Sequence, residues 1–148
     1  MTSIRILVGS VYGGALLTAR TLKKTLEQEN HQVVVLENPG LDDLTGSDDP
    51  VLICTSTTGQ GEVPPNLLPF YLQLRVELPQ QPGRPFGVLV LGDSSYGDTF
   101  CGAGELMEEA FHETSARKVG DTLRIDALET TKPELAAVPW ARDWLKSL

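Results

Sequence analysis

The sequence lacks the features that mark disulfide-bonded, membrane-spanning and secreted proteins. It has two cysteines, Cys54 and Cys101, and no apolar run near the ~20 residues of a membrane-spanning helix. Its first residues lack a charged segment followed by an apolar one, so we expect no secretory signal. Two cysteines so placed do not suggest a disulfide framework, and we therefore expect a cytoplasmic protein.

Basic residues are also scarce. Twelve Lys and Arg stand against twenty Asp and Glu, which gives a net charge of −8. This balance argues against a nucleic-acid ligand, because nucleic-acid phosphates attract basic surfaces. It favours basic protein partners that are attracted by electrostatic steering. The two histidines, His31 and His112, are far apart in the sequence, and we expect no metal site.

Short apolar runs alternate with helical patterns along the 148 residues, which have the length of one domain, 1–148. The pattern predicts strands over 4–9, 32–37, 51–55, 86–91 and 119–125. It predicts helices over 14–29, 66–76, 102–114 and 139–148, with a single helical turn near 41–44. Trp140 and Trp144 share a face of the last helix, which indicates core packing.

The first, third and fourth strands are nearly continuous apolar runs, as expected of strands buried on both faces. The alternation of strands and helices therefore predicts an α/β three-layer sandwich, with a five-stranded parallel sheet between helices. Such sheets bind ligands beyond the carboxyl ends of their strands, where the strand order reverses. In the order 2-1-3-4-5 the loops after strands one, three and four are neighbours, so one ligand can touch all three.

The first of these loops joins an apolar strand to a helix and contains no Lys or Arg. Backbone N–H groups at a helix start bind phosphate well, and glycine allows a close approach. A phosphate here would depend on backbone N–H groups and hydroxyls alone. The candidate residues are Ser10, Val11, Tyr12, Gly13, Gly14 and Ala15.

The other two loops are also rich in polar and small residues. Residues 55–58 are four consecutive hydroxyl residues that precede Gly59-Gln60-Gly61, and Tyr96 is an aromatic residue within the polar loop 92–100. A flexible turn is the alternative interpretation of the second loop. A ring at Tyr96 could stack on a planar ligand, whereas Phe100, beside the next helix, is expected to pack inside.

Specific residues exclude three other kinds of site: two nucleotide-binding loops and the site of a response-regulator receiver. A Walker loop needs a lysine at the helix start, and none is present. The dinucleotide fingerprint needs G-x-G-x-x-G, whereas this chain has Gly9, Gly13 and Gly14. By resemblance, a response-regulator receiver needs an aspartate at the end of the third strand, where Cys54 and Thr55 stand.

Taken together, the three loops resemble those of a flavodoxin. The resemblance covers essentially the whole chain and is closest to short-chain, single-domain bacterial flavodoxins, which are similar to the FMN domains of sulfite reductase and cytochrome P450 reductase. Its motifs are Gly9-Ser10-Val11-Tyr12-Gly13-Gly14-Ala15, Thr55-Ser56-Thr57-Thr58-Gly59-Gln60-Gly61-Glu62 and Leu91-Gly92-Asp93-Ser94-Ser95-Tyr96 with Phe100-Cys101.

The resemblance implies a role for each loop in holding FMN. The first loop would hold the phosphate, through the Ser10 hydroxyl and backbone N–H groups up to Ala15. Ser56, Thr57 and Thr58 would line the ribityl chain and ring edge, and the Gly59-Gln60 peptide would turn toward the flavin N5. Tyr96 would stack on the ring. Tyr12 and Ala15 replace hydroxyl residues of the family, so we expect up to two fewer neutral hydrogen bonds, each worth about 0.5–1.5 kcal/mol.

The function implied is one-electron transfer by a low-potential FMN carrier, between a basic NADPH-dependent flavodoxin or ferredoxin reductase and acceptor redox enzymes. We expect a monomer without membrane or nucleic-acid partners. Glu62, Asp93 and Asp98 would lower the flavin potential, because like charges disfavour an added negative charge. Two alternatives stay open: a regulatory or binding protein with weak or no FMN, and a small flavoenzyme that acts directly on a substrate. A thiol at Cys101 is interpreted as a small buried residue more readily than as a redox group.

Overall fold

The middle layer of the molecule is a parallel β-sheet. In the computed structural model, which describes residues 2–11, 13–58, 61–92 and 101–148, the strands are β1 (Ser3–Gly9), β2 (Gln32–Leu36), β3 (Val51–Ser56), β4 (Pro85–Gly92), β5 (Arg117–Lys118) and β6 (Leu123–Asp126). Their order is β2-β1-β3-β4-β5, and β6 also pairs with β4. The predicted order 2-1-3-4-5 is confirmed.

The three central strands end at one edge of the sheet. Gly9 of β1 lies opposite Thr55 of β3, and Ser56 of β3 lies opposite Leu91 of β4. The first five residues of β3 are all buried, because layers cover both of its faces. The loops that follow β1, β3 and β4 therefore start side by side, as the apolar runs of the sequence predicted.

Helices cover both faces of this sheet, which confirms the predicted three-layer fold. The helices are α1 (Gly14–Gln28), α2 (Asp42–Thr45), α3 (Leu68–Glu77), α4 (Gly102–Glu113) and α5 (Glu134–Lys146). Leu52 and Cys54 of β3 belong to the core cluster under α1 and α5, whereas Val51 and Ile53 belong to the cluster under α3 and α4. This alternation is the two-residue period of a strand buried on both sides. No helix in the described ranges is both long and apolar enough to cross a membrane.

The prediction of one continuous fifth strand over 119–125 is wrong. Two short strands occupy that side of β4: β5 pairs with Pro85 and Phe86, and β6 pairs with the end of β4 from Leu89 to Gly92. Gly120 interrupts the extended chain between them, because its φ of 73° lies in the left-handed region.

The predicted start of the last helix at residue 139 is also wrong. Helix α5 begins five residues earlier, at Glu134, and contains Pro139 within its length. A proline there removes the N–H that would bond to Leu135 O. The helix nevertheless continues through Pro139, in an exposed stretch where Leu135 is 69% exposed. The predicted packing role is confirmed for Trp144, which is 3% exposed, while the half-buried Trp140 donates Nε1–H to Asp121 O at 3.1 Å.

Candidate cofactor site

The first loop presents a group of backbone N–H donors at the start of α1. Gly13, at φ 88°, precedes the helix, and its N–H donates to Ser10 Oγ at 2.9 Å. Intrahelical bonding begins only with Leu17 N–H, which donates to Gly13 O at 2.8 Å. The N–H groups before it have no acceptor within the helix. These N–H groups belong to Gly14, Ala15 and Leu16.

Among the described side chains of this loop, Ser10 offers a hydroxyl to a ligand. Ser10 Oγ accepts from Gly13 N–H and keeps its own O–H free to donate, since a hydroxyl has one donor and two lone pairs. Val11 is 43% exposed, and the Ala15 side chain is fully buried in the core under α1. The absence of Lys and Arg from the loop leaves the partial positive charge of the helix end as its attraction for an anion.

The second loop is closed by hydrogen bonds within 58–62. Thr58 Oγ1 accepts from Glu62 N–H at 3.1 Å, and Thr58 O accepts from Gly61 N–H at 2.9 Å. Behind them, Ser56 Oγ donates to Gly9 O at 3.3 Å, which ties this loop to the end of β1. Of the hydroxyl residues predicted to line a ligand, Ser56 and Thr58 thus also hold the loops in place.

Thr57 differs from its neighbours. Its Oγ1 is buried, and no described residue offers it a hydrogen bond. A buried hydroxyl without a partner costs free energy, about 1–3 kcal/mol, unless a ligand or water pairs with it. At the carboxyl edge of the sheet, this hydroxyl is suited to a polar group of a bound ligand.

Two close approaches link the first and second loops to β4 and α4. A Cβ added at Gly14 would lie 3.6 Å from Leu91 Cδ2, so the first loop and the end of β4 are in contact. A Cβ added at Gly102 would lie 2.8 Å from Gly61 O and 3.0 Å from Gly61 Cα, so the second loop rests on the start of α4. Gly92, another predicted site residue, accepts from Ala127 N–H at 2.8 Å.

Cys101 precedes α4 and is buried rather than presented to a reactant. Its φ of 60° is left-handed, and its Sγ lies 3.9 Å from Val90 O. Burial raises the pKa of the Cys101 thiol to about 11, and the carboxylates of Asp126 and Glu105 add to this against the opposing charge of Arg124. The thiol is therefore neutral at physiological pH, although it stands at a helix start, and the small buried residue is the better interpretation.

One residue of this region was missed by the sequence analysis except as a helix start. Asn66 Oδ1 accepts from Ser10 N–H at 2.8 Å, while Asn66 Nδ2 donates to Val8 O at 2.7 Å and to Glu37 O at 2.6 Å. A single amide thus joins the end of β1, the end of β2 and the segment before α3. The Pro-Pro-Asn sequence signals a turn, since asparagine side chains bond to nearby backbone, but nothing in it indicates these distant partners.

The remaining predicted site residues stay predictions. Asp93, Ser94, Tyr96 and Phe100 of the third loop, Tyr12 of the first loop and the Gly59-Gln60 peptide all lie outside the described residues. What the described part offers is a helix start with free N–H groups, the Ser10 hydroxyl and the unpaired Thr57 hydroxyl. These donors fit a ligand with a phosphate at one end and hydroxyls next to it.

Comparison with known proteins identifies the family of this chain. The sequence model of the flavodoxin family matches residues 6–140. The chain belongs to the flavodoxin family. Among its relatives, flavodoxin YqcA of Escherichia coli is 41% identical over 97% of this chain and 97% of its own length. An uncharacterized protein of Pseudomonas aeruginosa is 46% identical over 98% and 97%.

Solved structures agree with the family assignment. A variant of a Pseudomonas aeruginosa flavodoxin superposes on this flavodoxin with a TM-score of 0.91 at 44% identity, covering 99% of each chain. In that variant, as its name states, a serine replaces a cysteine. The predicted family is thus confirmed, and with it FMN as the cofactor that flavodoxins bind and electron transport as their role.

Proposed function

We propose that this flavodoxin carries single electrons at low potential from a basic NADPH-dependent reductase to acceptor redox enzymes, with FMN held by the three loops. The observation that carries the proposal is the start of α1, where the N–H groups of Gly14 and Ala15 have no helical acceptor and the loop contains no cation. Bound FMN supplies the one-electron chemistry, and the protein supplies binding, orientation and electrostatics.

Each described residue has a distinct part in this proposal. Ser10 O–H and the N–H groups of Gly14 and Ala15 bind the phosphate. Thr57 Oγ1 pairs with the ribityl chain, and the bonded pair Thr58 and Glu62 sets the path of the loop beside the ring. By resemblance, Gly59-Gln60 and the third loop, with Asp93, Ser94 and Tyr96, enclose the ring.

Titration of the apoprotein with FMN tests the proposal directly. We expect one FMN per chain, a yellow holoprotein and reduction by NADPH when a basic flavodoxin reductase is added. A protein that stays colourless and cannot be reconstituted with FMN would instead be a regulatory or binding protein. Turnover of a small substrate without any carrier partner would identify a flavoenzyme and also contradict the proposal.

The electrostatics of the site favour a low potential. A phosphate bound without a Lys or Arg in its loop keeps its negative charge, and Glu62 places a carboxylate in the second loop. Like charges disfavour the gain of an electron. Glu62→Gln is therefore expected to raise the reduction potential by on the order of 20 mV at low salt, equal to about 0.5 kcal/mol for one screened charge.

Redox titrations at two salt concentrations measure this shift. It should shrink as salt is added, because screening weakens interactions between exposed charges. Glu77→Gln, at the end of α3 and thus at the opposite edge of the sheet, is the matched control and should leave the potential unchanged. An unchanged potential in Glu62→Gln at low salt would show that this carboxylate does not tune the cofactor.

The proposal includes the setting in which the protein works. We infer a monomeric, cytoplasmic carrier of one domain, 1–148, that converts no substrate of its own. The net charge of −8 supports the choice of basic partners and opposes self-association, because two copies repel each other. Sedimentation of the holoprotein measures the oligomeric state, and we expect a monomer.

A further inference from the structure

Helix α3 is apolar on the side that faces away from the core as well as on the side that faces it. Leu67, Phe70 and Leu74 are fully buried under the helix. On the opposite side, Leu68, Leu72 and Val76 follow one another at intervals of four residues and are 37%, 52% and 80% exposed. Exposed polar residues, Gln73, Arg75 and Glu77, flank this outward apolar row. Leu68, Leu72 and Val76 are called the α3 stripe below.

The residues of the α3 stripe are adjacent on one helix face, unlike exposed apolar residues that occur singly on a protein surface. Residues four apart on a helix are neighbours, so the three side chains form one continuous row. Leu78, just after the helix, is also 40% exposed, but it stands two residues after Val76 and lies off this row. Contiguous exposed apolar surface of this kind marks an interaction site more often than isolated residues do.

The stripe begins at the cofactor edge of the sheet. Leu68 stands two residues after Asn66, whose amide is hydrogen-bonded to Ser10 N–H in the phosphate loop. A protein seated on the stripe would therefore reach the edge of the sheet where β1, β3 and β4 end. This position suits a partner that exchanges electrons with a cofactor held there.

Charge lies along one side of the stripe. Arg75 Nε is 3.6 Å from Glu113 Oε2, an ion pair that joins α3 to α4. Two further glutamates of α4 face away from α3, because Glu108 pairs with Lys118 of β5 at 2.7 Å and Glu105 with Arg124 of β6 at 3.6 Å. The acidic character that a partner meets is that of the whole chain, whose net charge is −8. A complementary partner has an apolar patch on a basic surface.

These observations favour a transient partner over a second copy of the chain. Two copies seated on the stripe would bring two chains of charge −8 together. The three side chains of the stripe also cover far less than the roughly 800 Å² per partner of a stable interface, whereas weak electron-transfer complexes use small interfaces. We propose that the α3 stripe docks a basic redox-partner protein through an apolar contact next to the cofactor edge. This inference rests on the proposed function.

Steady-state reduction of the holoprotein by a basic NADPH-dependent flavodoxin reductase tests the stripe. Leu72→Gln and Val76→Gln remove apolar surface from exposed positions, so folding and FMN affinity should stay as in the unchanged protein. We expect the KM for the flavodoxin to rise about tenfold in the double variant, with kcat at saturation retained. Leu148→Gln is the matched control, since Leu148 is 38% exposed after the end of α5, across the sheet and away from the cofactor edge. The KM of this variant should not change.

The possible outcomes separate the inference from the function on which it rests. Equal KM values for the double variant and the control would overturn the docking site while FMN binding stands. A dimer in sedimentation that Leu72→Gln dissociates would assign the stripe to a second copy and also overturn the proposal. Failure of the unchanged protein to bind FMN is seen in the titration before any kinetics, and it would overturn the proposed function and the docking site together.

Discussion

Replacement of Asn66 by alanine is expected to weaken FMN binding about 100-fold. The Asn66 side chain accepts from Ser10 N–H at 2.8 Å and donates to Val8 O and Glu37 O at 2.7 and 2.6 Å. It touches the phosphate loop through the backbone, so it is a positioning residue. Without it, Ser10 and the N–H groups after it lose their fixed place relative to the end of β2 and the segment before α3, and binding must supply the cost of ordering the loop.

The same substitution should lower the stability of the apoprotein. Val8 O and Ser10 N–H would lose partly buried hydrogen-bond partners, and an unsatisfied group costs about 1–3 kcal/mol. Because water can reach part of this region, we expect the free energy of unfolding to fall by about 2 kcal/mol. Urea unfolding of the apoprotein and fluorescence titration with FMN measure the two effects separately.

Two further variants show which feature of Asn66 matters. Asn66→Asp keeps an acceptor for Ser10 N–H, but its carboxylate faces the carbonyl oxygens of Val8 and Glu37 without the donor that they require. We expect it to bind FMN as weakly as the alanine variant. Asn66 and Asn38 both line a cavity of about 240 Å³ beside Ser10 and Gly13. Asn38 makes no hydrogen bond to another described residue, so Asn38→Ala is the control. Equal FMN affinity in Asn66→Ala and Asn38→Ala would contradict the positioning role.

Most of the fold was predictable because it depends on local patterns. Strand β3, Val51-Leu-Ile-Cys-Thr, has no polar face, and such a strand needs cover on both sides. The buried face of α1 repeats at Ala15, Ala19, Leu22 and Leu26, the period of an amphipathic helix. These two signals place the sheet between two helical layers. The strand order then places the three polar loops at one edge.

What the sequence did not reveal depends on contacts between distant segments. The bonds of Asn66 span 29, 56 and 58 residues, and no local motif encodes them. The division of the fifth strand depends on the positive φ of Gly120, and a glycine allows such a φ without requiring it. The early start of α5 requires the helix to continue through Pro139, which local propensity opposes. In each case the deciding feature belongs to the tertiary structure and not to the local sequence.

Replacement of Gly102 by alanine is the second substitution with a large expected effect. An added Cβ would lie 2.8 Å from Gly61 O and 3.0 Å from Gly61 Cα, both backbone atoms that cannot rotate away. Either the second loop or the start of α4 must move. Since Thr57 and Thr58 lie on that loop, we expect FMN affinity to fall about 30-fold. The gain in helix propensity, up to about 1 kcal/mol, opposes a loss of about 1–3 kcal/mol from overpacking.

Matched glycine variants separate the site from general destabilisation. A Cβ at Gly40 meets nothing within 4 Å, so Gly40→Ala should bind FMN normally. A Cβ at Gly104 would lie 2.9 Å from Val90, beneath α4, so Gly104→Ala should destabilise the apoprotein through the core. If Gly102→Ala lost no more FMN affinity than Gly104→Ala at equal stability, the close approach of Gly61 and Gly102 would have only a packing role. A larger loss in Gly102→Ala would show that this contact sets the shape of the cofactor loop, because the two alanines differ in what they displace.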